Sequence, residues 1–495
     1  MSLFDARQET AMERRELPLQ RAAVLGIFGR NSLWLWIDRG LLSIGTLVAG
    51  LLLVRHLGPG DYGLYSLALS IGGVTSTLFD LGITRYAARA VAANLEEGPP
   101  ILAAGIALSA IFFAGIIFAL IVATLRHAWV AECICVGLVI GNLQRLATIA
   151  AFFLTAELRS GAILSGSVVY RLGAILVMGI VIFKHLSVLL LLMGLAGISV
   201  PAVGIRLWQL HHLWPTKEDW SWKGLGHIVR KAWPFMSYSW TETGYSQVSV
   251  LCLGLVASRQ AVGWFAAAWT ITSVFPQWAF ASCDALLPIM TRLFEAQRMD
   301  VILEMRARLL DVLLIAAVPV AVALSSFAPQ ICILLGPRFA SSAPVLQILA
   351  GNAVLSAIGG LLGGAILTAI NRISARRNAL ATTLLPLAGV TLLLGWVWGP
   401  KGAAVALLAA DAALLAQYLR IFSADGLALR FGRAVWISML GGTAMMVFCL
   451  SLTRIIGWPL TLFLGVLVYL GTFVLFAPHR LTNAGRTLRE CVTGA

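Results

Sequence analysis

LGPGDYGLYSLA, Leu57–Ala68, opens as a turn and then runs apolar and aromatic without pause. Gly58, Pro59, Gly60 and Asp61 are residues that punctuate a chain. Further on comes ASRQAVGWFAAA, Ala257–Ala268, in which Val262-Gly263-Trp264-Phe265 falls opposite Tyr62-Gly63-Leu64-Tyr65 at an offset of 200. A second echo follows in the same order. LTAELR (Leu154–Arg159) returns as LTAINR (Leu367–Arg372), at an offset of 213. Two echoes, in order and at compatible offsets, read as an internal repeat in which helix n answers helix n+6.

Composition says what is repeated. The 495 residues are 59% hydrophobic and 12% charged, with a mean hydropathy of +0.89, whereas ordinary soluble domains are about 25% charged. A run of about 20 apolar residues spans a bilayer as a helix, and about fourteen such runs are legible. Transmembrane barrel strands are about ten residues of alternating polarity, so a β-barrel is excluded. The chain reads as an all-α polytopic membrane protein. Residues 1–32 form a polar cytoplasmic segment without the apolar core of a signal peptide. Residues 33–207 form an amino-terminal lobe of spans 1–6, 208–231 a cytoplasmic linker and 232–419 a carboxyl-terminal lobe of spans 7–12. Spans 13 and 14 fall in 435–476, outside the repeat, and 477–495 is a cytoplasmic tail. Each lobe holds an even number of spans, so both start on the same side. The repeats are therefore parallel, related by a pseudo-twofold along the membrane normal.

Lys and Arg set the orientation. With residue 1 cytoplasmic, 26 of the 36 basic residues fall inside. The outer loops hold seven: Arg55, Arg126, Lys184, Arg259, Arg338, Lys401 and Arg454. This is a positive-inside bias, with both termini cytoplasmic. It also accounts for the net charge of +14 and removes nucleic acid as a partner, which would need the charge clustered on one exposed face. Most of the seven cysteines lie inside spans, where they act as small apolar residues, and no Cys/His spacing fits a metal. The stretch Arg292–Arg308 alternates acid, base and apolar residues and reads as an amphipathic helix at the membrane surface.

LGPGDYGLYSLA followed by LFDLGITRYAARAVA (Leu78–Ala92) resembles the amino-terminal signature of the polysaccharide, or O-antigen, flippases. That family sits in the multidrug/oligosaccharidyl-lipid/polysaccharide exporter superfamily. Later stretches resemble it in the same order: AVGWFAAAWTITSVFPQ, LLPIMTRL, LLGPRFASSAPVLQILAGNAVLSAIGGLLGG (Leu334–Gly364) and LGWVWGPKGAAVALLAADAALL. The similarity covers roughly residues 33–420. It implies a two-lobed transporter that moves an undecaprenyl-diphosphate-linked oligosaccharide outward across the bacterial inner membrane by alternating access. It also implies membrane lipids as surroundings and a polysaccharide polymerase or export machinery as partner. Where family members often carry an acid before the glycine that precedes span 8, this chain has Ser246-Gln247-Val248, and the nearest acid is Glu242.

A lipid diphosphate crossing hydrocarbon needs positive charge to meet it, and guanidinium offers phosphate a planar bidentate donor set. Arg39, Arg145 and Arg171 fall inside spans, where a charge is costly enough to face the protein interior or water. They are the candidates for a diphosphate site, with Arg39 and Arg171 expected to face the space between the lobes. Arg85 and Arg89, four apart at the inner end of span 2, are candidates for receiving the diphosphate head. Paired readings compete with these: Asp80 with Arg85 or Arg39, and Glu242 with an arginine of the other lobe. Glu242, Asp80 and Asp411 are the acidic residues placed for H+ or Na+ coupling; no other cofactor is expected. Spans 7–12 show no basic residue well inside them, so the carboxyl-terminal wall should be the more neutral one. Gly359, Gly360, Gly363 and Gly364 have the spacing that lets helices pack closely.

Two alternatives stay within the fold, a lipid II flippase and a multidrug exporter. A third leaves it: an integral-membrane glycan polymerase. That enzyme needs a sizeable outer loop and paired carboxylates, and the outer loops here are short and nearly without acids, Asp61 excepted.

Overall fold

The computed structural model describes residues 21–93, 97–156, 160–214, 222–427 and 433–476. Among the described residues the chain is helical, with no β-strand. The amino-terminal half holds α1 (Arg21–Asp80), α2 (Ile83–Ala93), α3 (Gly98–Leu125), α4 (Trp129–Ala156), α5 (Ser160–Lys184) and α6 (Val188–Gln209). The carboxyl-terminal half begins with α7 (Trp222–Val256), α8 (Arg259–Thr272), α9 (Val274–Glu295), α10 (Met299–Ser326) and α11 (Ala328–Leu335). It continues with α12 (Ala343–Ala350), α13 (Asn352–Gly359), α14 (Leu367–Ala369), α15 (Ile373–Trp398) and α16 (Pro400–Ala424). The last two helices are α17 (Arg433–Ile456) and α18 (Trp458–Phe476). Ten helices among the described residues are long and apolar enough to cross a membrane. The expected spans 1, 2, 7 and 8 fall in α1, α7, α8 and α9, which are not among those ten. Span 8 is broken at Ser273, and α8 alone is too short to cross.

Packing within the halves follows one plan twice. In the first, α1 packs on α4 and α5, α4 on α6, α5 on α6, and α3 on α4. In the second, α8 packs on α12, α7 on α15, α12 and α13 on α16, α15 on α16, and α10 on α12 and α13. Numbered as spans, each pair n and m of the first half is answered by n+6 and m+6 of the second. The two final helices stand outside this scheme: α17 and α18 pack on each other and against α10.

The repeated stretch holds the halves together. Gly58 takes φ 75°, a left-handed conformation that glycine adopts without steric cost, and it separates the two arms of α1. Its second arm then meets α8 closely. A Cβ on Gly63 would lie 1.9 Å from the carbonyl oxygen of Arg259. A Cβ on Gly263 would lie 1.8 Å from the carbonyl oxygen of Pro59. Gly63 and Gly263 are 200 apart, and so are Pro59 and Arg259. The contact is thus reciprocal, as a twofold demands. Tyr62 closes over it, its hydroxyl 2.9 Å from Thr270 Oγ1 and its ring edge-on to Phe339. Val54, Ala266, Ala267 and Leu335 complete this buried apolar plug.

Two sequence expectations change. Arg292–Arg308 is not a separate surface helix. α9 runs to Glu295, Gln297 turns the chain at φ 59°, and α10 runs unbroken from Met299 to Ser326. Its charges fall on the first turns of a long helix, where Arg308 pairs with Glu304 at i,i+4 and Arg306 turns inward to donate to the Leu427 carbonyl at 2.7 Å. The span-10 glycines do not bring backbones together either. Gly360–Ile366 is π-helical, and a Cβ on Gly360 or Gly363 would strike the ring of Phe280 or Tyr418. Gly360 and Gly363 make room for aromatic rings.

The Cβ position of Gly60 lies 3.7 Å from the Gln260 side chain. Cysteines placed by Gly60→Cys and Gln260→Cys should therefore form an intramolecular cross-link on mild oxidation, read by peptide mapping. Adding Gly63→Val should cut the yield sharply; an unchanged yield would mean the glycine crossing does not set the approach.

Candidate functional site

The site is assembled at a break in the chain. α1 ends at Asp80, and Leu81 and Gly82 turn with φ 49° and 82°. Asp80 caps the helix that follows: its carboxylate accepts from the Thr84 amide at 3.1 Å and the Thr84 hydroxyl at 2.6 Å. Asp is a favoured N-cap because its oxygen satisfies an orphan amide. A Cβ on Gly82 would lie 2.5 Å from the Ala232 carbonyl oxygen and 2.6 Å from the Met236 nitrogen. Glycine therefore lets α2 dock on α7, across the boundary between halves, and carries Arg85 to Glu242.

Glu242 is held from two sides. Arg85, from the amino-terminal half, pairs with Oε2. Arg376, from α15, donates to Oε1 at 2.8 Å. Tyr238, one turn earlier on α7, lies between the two arginines. Its ring centroid is 4.8 Å from the Arg85 guanidinium carbon and 5.4 Å from that of Arg376. Its hydroxyl accepts from Arg376 and donates to Glu242 at 3.5 Å. Cation–π attraction of this kind contributes about 0.5–1 kcal/mol at exposed sites and more when desolvated. Arg85 and Glu242 are 40% and 35% exposed and Arg376 19%, so the cluster faces open space. Two guanidiniums against one carboxylate leave it net positive.

A second ion pair is of another kind. Arg145 lies 3.6 Å from Asp80, with side chains 4% and 5% exposed. Arg145 also donates to Ser109 Oγ, to Asn142 Oδ1 at 3.3 Å and to the Phe79 carbonyl at 3.4 Å. This network ties α1, α3 and α4 together inside one half. It corrects two expectations. Arg145, a candidate for the diphosphate site, is instead buried inside the amino-terminal half, and Asp80, a candidate for ion coupling or for pairing with Arg85 or Arg39, pairs with Arg145 and caps α2. Magnitudes separate the two pairs. An exposed pair contributes about 0.2–1 kcal/mol, whereas removing one partner of a buried pair costs about 3–5 kcal/mol.

The remaining candidates divide. Arg171 lies among α4, α5 and α6, in a pocket lined entirely from the amino-terminal half, whereas it was expected to face the space between the lobes. Asp411, buried in α16, accepts from Tyr245 and from Ser356 at 3.3 Å. Arg39 and Arg89 sit on α1 and α2, and their side chains lie outside the described ones. Arg376 was missed. In NRISARRNAL its three arginines read as a positive-inside loop, but α15 starts at Ile373 and turns Arg376 inward. The carboxyl-terminal wall is therefore not neutral.

The family model described as polysaccharide biosynthesis protein matches residues 28–294, more than half of the chain. The chain belongs to the polysaccharide biosynthesis protein family. A probable low-salt glycan biosynthesis flippase of Haloferax volcanii is 23% identical over 459 residues, covering 88% of this chain and 93% of that one. The solved lipid II flippase MurJ, in an inward closed conformation, superposes with a TM-score of 0.75 at 13% identity, covering 90% of this chain and 98% of that chain. A multidrug-resistance MATE transporter in an inward-facing conformation gives 0.56 at 16% identity, over 80% and 100%. These likenesses show the fold. The chain is a multi-pass membrane protein of that fold.

Thermal unfolding in detergent should separate the two ion pairs. Arg145→Gln leaves Asp80 a buried, unpaired charge and should cost about 3–5 kcal/mol. Arg85→Gln should cost about 1 kcal/mol or less. Equal losses would contradict the division into a structural and an openable pair.

Proposed function

We propose that the protein flips an undecaprenyl-diphosphate-linked oligosaccharide across its membrane by alternating access, and that the diphosphate is received at the Glu242 cluster. One observation carries this reading. Two guanidiniums, one from each half, converge on a single carboxylate that is a third exposed. Glu242 then acts as an internal stand-in for the substrate anion and latches α2 to α7 and α15. A diphosphate offers more oxygens and more charge than a carboxylate, and guanidinium meets it in bidentate pairs. It displaces Glu242 from Arg85 and Arg376, which costs little because the pair is part-exposed. With Arg85 on the substrate, the ionic latch between halves is released, and the apolar contacts of α2 with α7 and the plug around Gly63 and Gly263 are what remain to part.

The charge bias supports cytoplasmic termini in an inner membrane, which puts the Glu242 cluster at the cytoplasmic end and the glycine crossing at the outer end. Loading from inside follows from that placement. The role is transport, without a catalytic step, and the product would pass to a polysaccharide polymerase or export machinery. For H+ or Na+ coupling we put forward Asp411, whose recorded partners are hydroxyls, in place of Glu242, which two guanidiniums occupy. The fold also serves drug export, but a net positive cluster disfavours an organic cation.

Reconstituted vesicles carrying a fluorescent lipid-linked oligosaccharide test the reading. Arg85→Gln and Arg376→Gln should each abolish flipping while the protein still inserts, and the lysine variants should restore part of it at best, since ammonium lacks the bidentate fork. Wild-type flipping by the double Gln variant would sink the proposal. For orientation, an impermeant maleimide added outside should reach a cysteine at Gly60 or Pro337 and miss one at Lys217; the reverse would invert the topology.

A further inference from the structure

A pocket of about 280 Å3 lies among α4, α5 and α6, apart from the α2, α7 and α15 residues of the Glu242 cluster. Arg171 and Arg206 line it with Gln144, Thr148, Ser167 and Tyr170, and among the described residues none that lines it is acidic. The site is built. Arg206 donates to the Ala147 carbonyl at 3.0 Å and to Ser167 Oγ at 2.7 Å, so its guanidinium is pinned to both facing helices. Gly166 gives it room, since a Cβ there would lie 2.8 Å from the Arg206 side chain. Opposite, Gln144 donates to the Tyr170 hydroxyl at 3.4 Å. Gln144 and Thr148 are exposed on α4, so one rim is polar. Just past Arg171, α5 exposes Leu172, Ile175 and Leu176, an apolar surface suited to acyl chains.

A guanidinium at membrane depth, here that of Arg171, marks a functional site by default. Paired guanidiniums with hydroxyl and amide neighbours match the acceptor oxygens of a phosphate. The volume falls at the lower edge of the roughly 300–1,000 Å3 typical of small-molecule sites. It admits a phosphate or diphosphate and excludes a glycan of several sugars. We propose that this pocket binds a phosphate group, from a lipid headgroup or from a soluble anion, as a subsite separate from the Glu242 cluster. The inference stands whether or not the transport reading does, because it concerns binding in the amino-terminal half alone.

Arginine footprinting tests it site by site. The full-length protein is placed in phosphatidylcholine vesicles and treated with phenylglyoxal, with modification of each arginine read by peptide mass. Phosphatidylglycerol in the bilayer, or inorganic pyrophosphate on both sides, should lower modification of Arg171 several-fold. Protection by the lipid alone assigns a headgroup; protection by pyrophosphate alone assigns a soluble anion; protection by both assigns phosphate chemistry in general. Ser199→Leu and Ala202→Leu fill the pocket while leaving both arginines, and should abolish protection at Arg171. Glu242→Gln should keep it. Absence of protection by either probe, or protection unchanged in both filling variants, would overturn the proposal.

Discussion

The backbone contact between Gly63 and Arg259, answered by Gly263 and Pro59, is the constraint on which the assembly rests. At under 2 Å from a would-be Cβ to a carbonyl oxygen, no side chain fits. The two copies of one short stretch therefore have to be glycine at the same register, and they have to face each other across the twofold. That explains why the motif is repeated while most of the surrounding sequence is not. Away from this crossing and from similar backbone contacts such as that of Gly72 with Gly137 and Gly141, apolar side chains of many shapes fill the same space, so drift is tolerated. At the crossing, backbone meets backbone, and one residue type satisfies it.

From that crossing the rest of the interface follows in order. The second arm of α1 runs from Gly63 down to Asp80, where the cap on Thr84 and the pair with Arg145 fix where α2 begins. Gly82 then sets α2 against α7, and Arg85 reaches Glu242. One end of the interface is sealed by apolar packing around Tyr62 and Phe339. At the other, the Arg85–Glu242–Arg376 charges sit beside a buried apolar cluster in which Ile83, Ala87 and Ala90 of α2 pack with Ile228 and Ala232 of α7. Apolar packing resists water and parts only as a body, while a part-exposed ion pair exchanges partners easily.

Charge also sorts the arginines into different jobs. Arg145 meets an acid and several carbonyl and hydroxyl oxygens inside one half, and it holds helices together. Arg85 and Arg376 meet one shared acid at the boundary. Arg206 is pinned by neutral acceptors on two helices of the amino-terminal half. All are intramembrane or close to it by sequence. What distinguishes them is which helices face one another, which a linear pattern does not contain.

The class of fold was legible because its determinants are local. Apolar runs of bilayer length specify helices, basic loops specify sides, and the doubled Gly63 and Gly263 stretch specifies a parallel repeat. Glu242 also stood out, since a carboxylate amid Tyr238 and Tyr245 breaks an apolar pattern. So did its partner Arg85; Arg376 did not. Arg376 lies 134 residues away in a cluster whose charge was fully accounted for by topology, and only the folding of α15 against α7 turns it inward. The break of span 8 at Ser273, the start of α10 at Met299 and the π-helical turn at Gly360 were hidden for a related reason. Each depends on what a neighbouring helix presses against that point of the chain. Sequence by itself determined the helices and their twofold repetition; tertiary structure decided which charges meet, because ion pairing depends on distances in space between residues far apart along the chain.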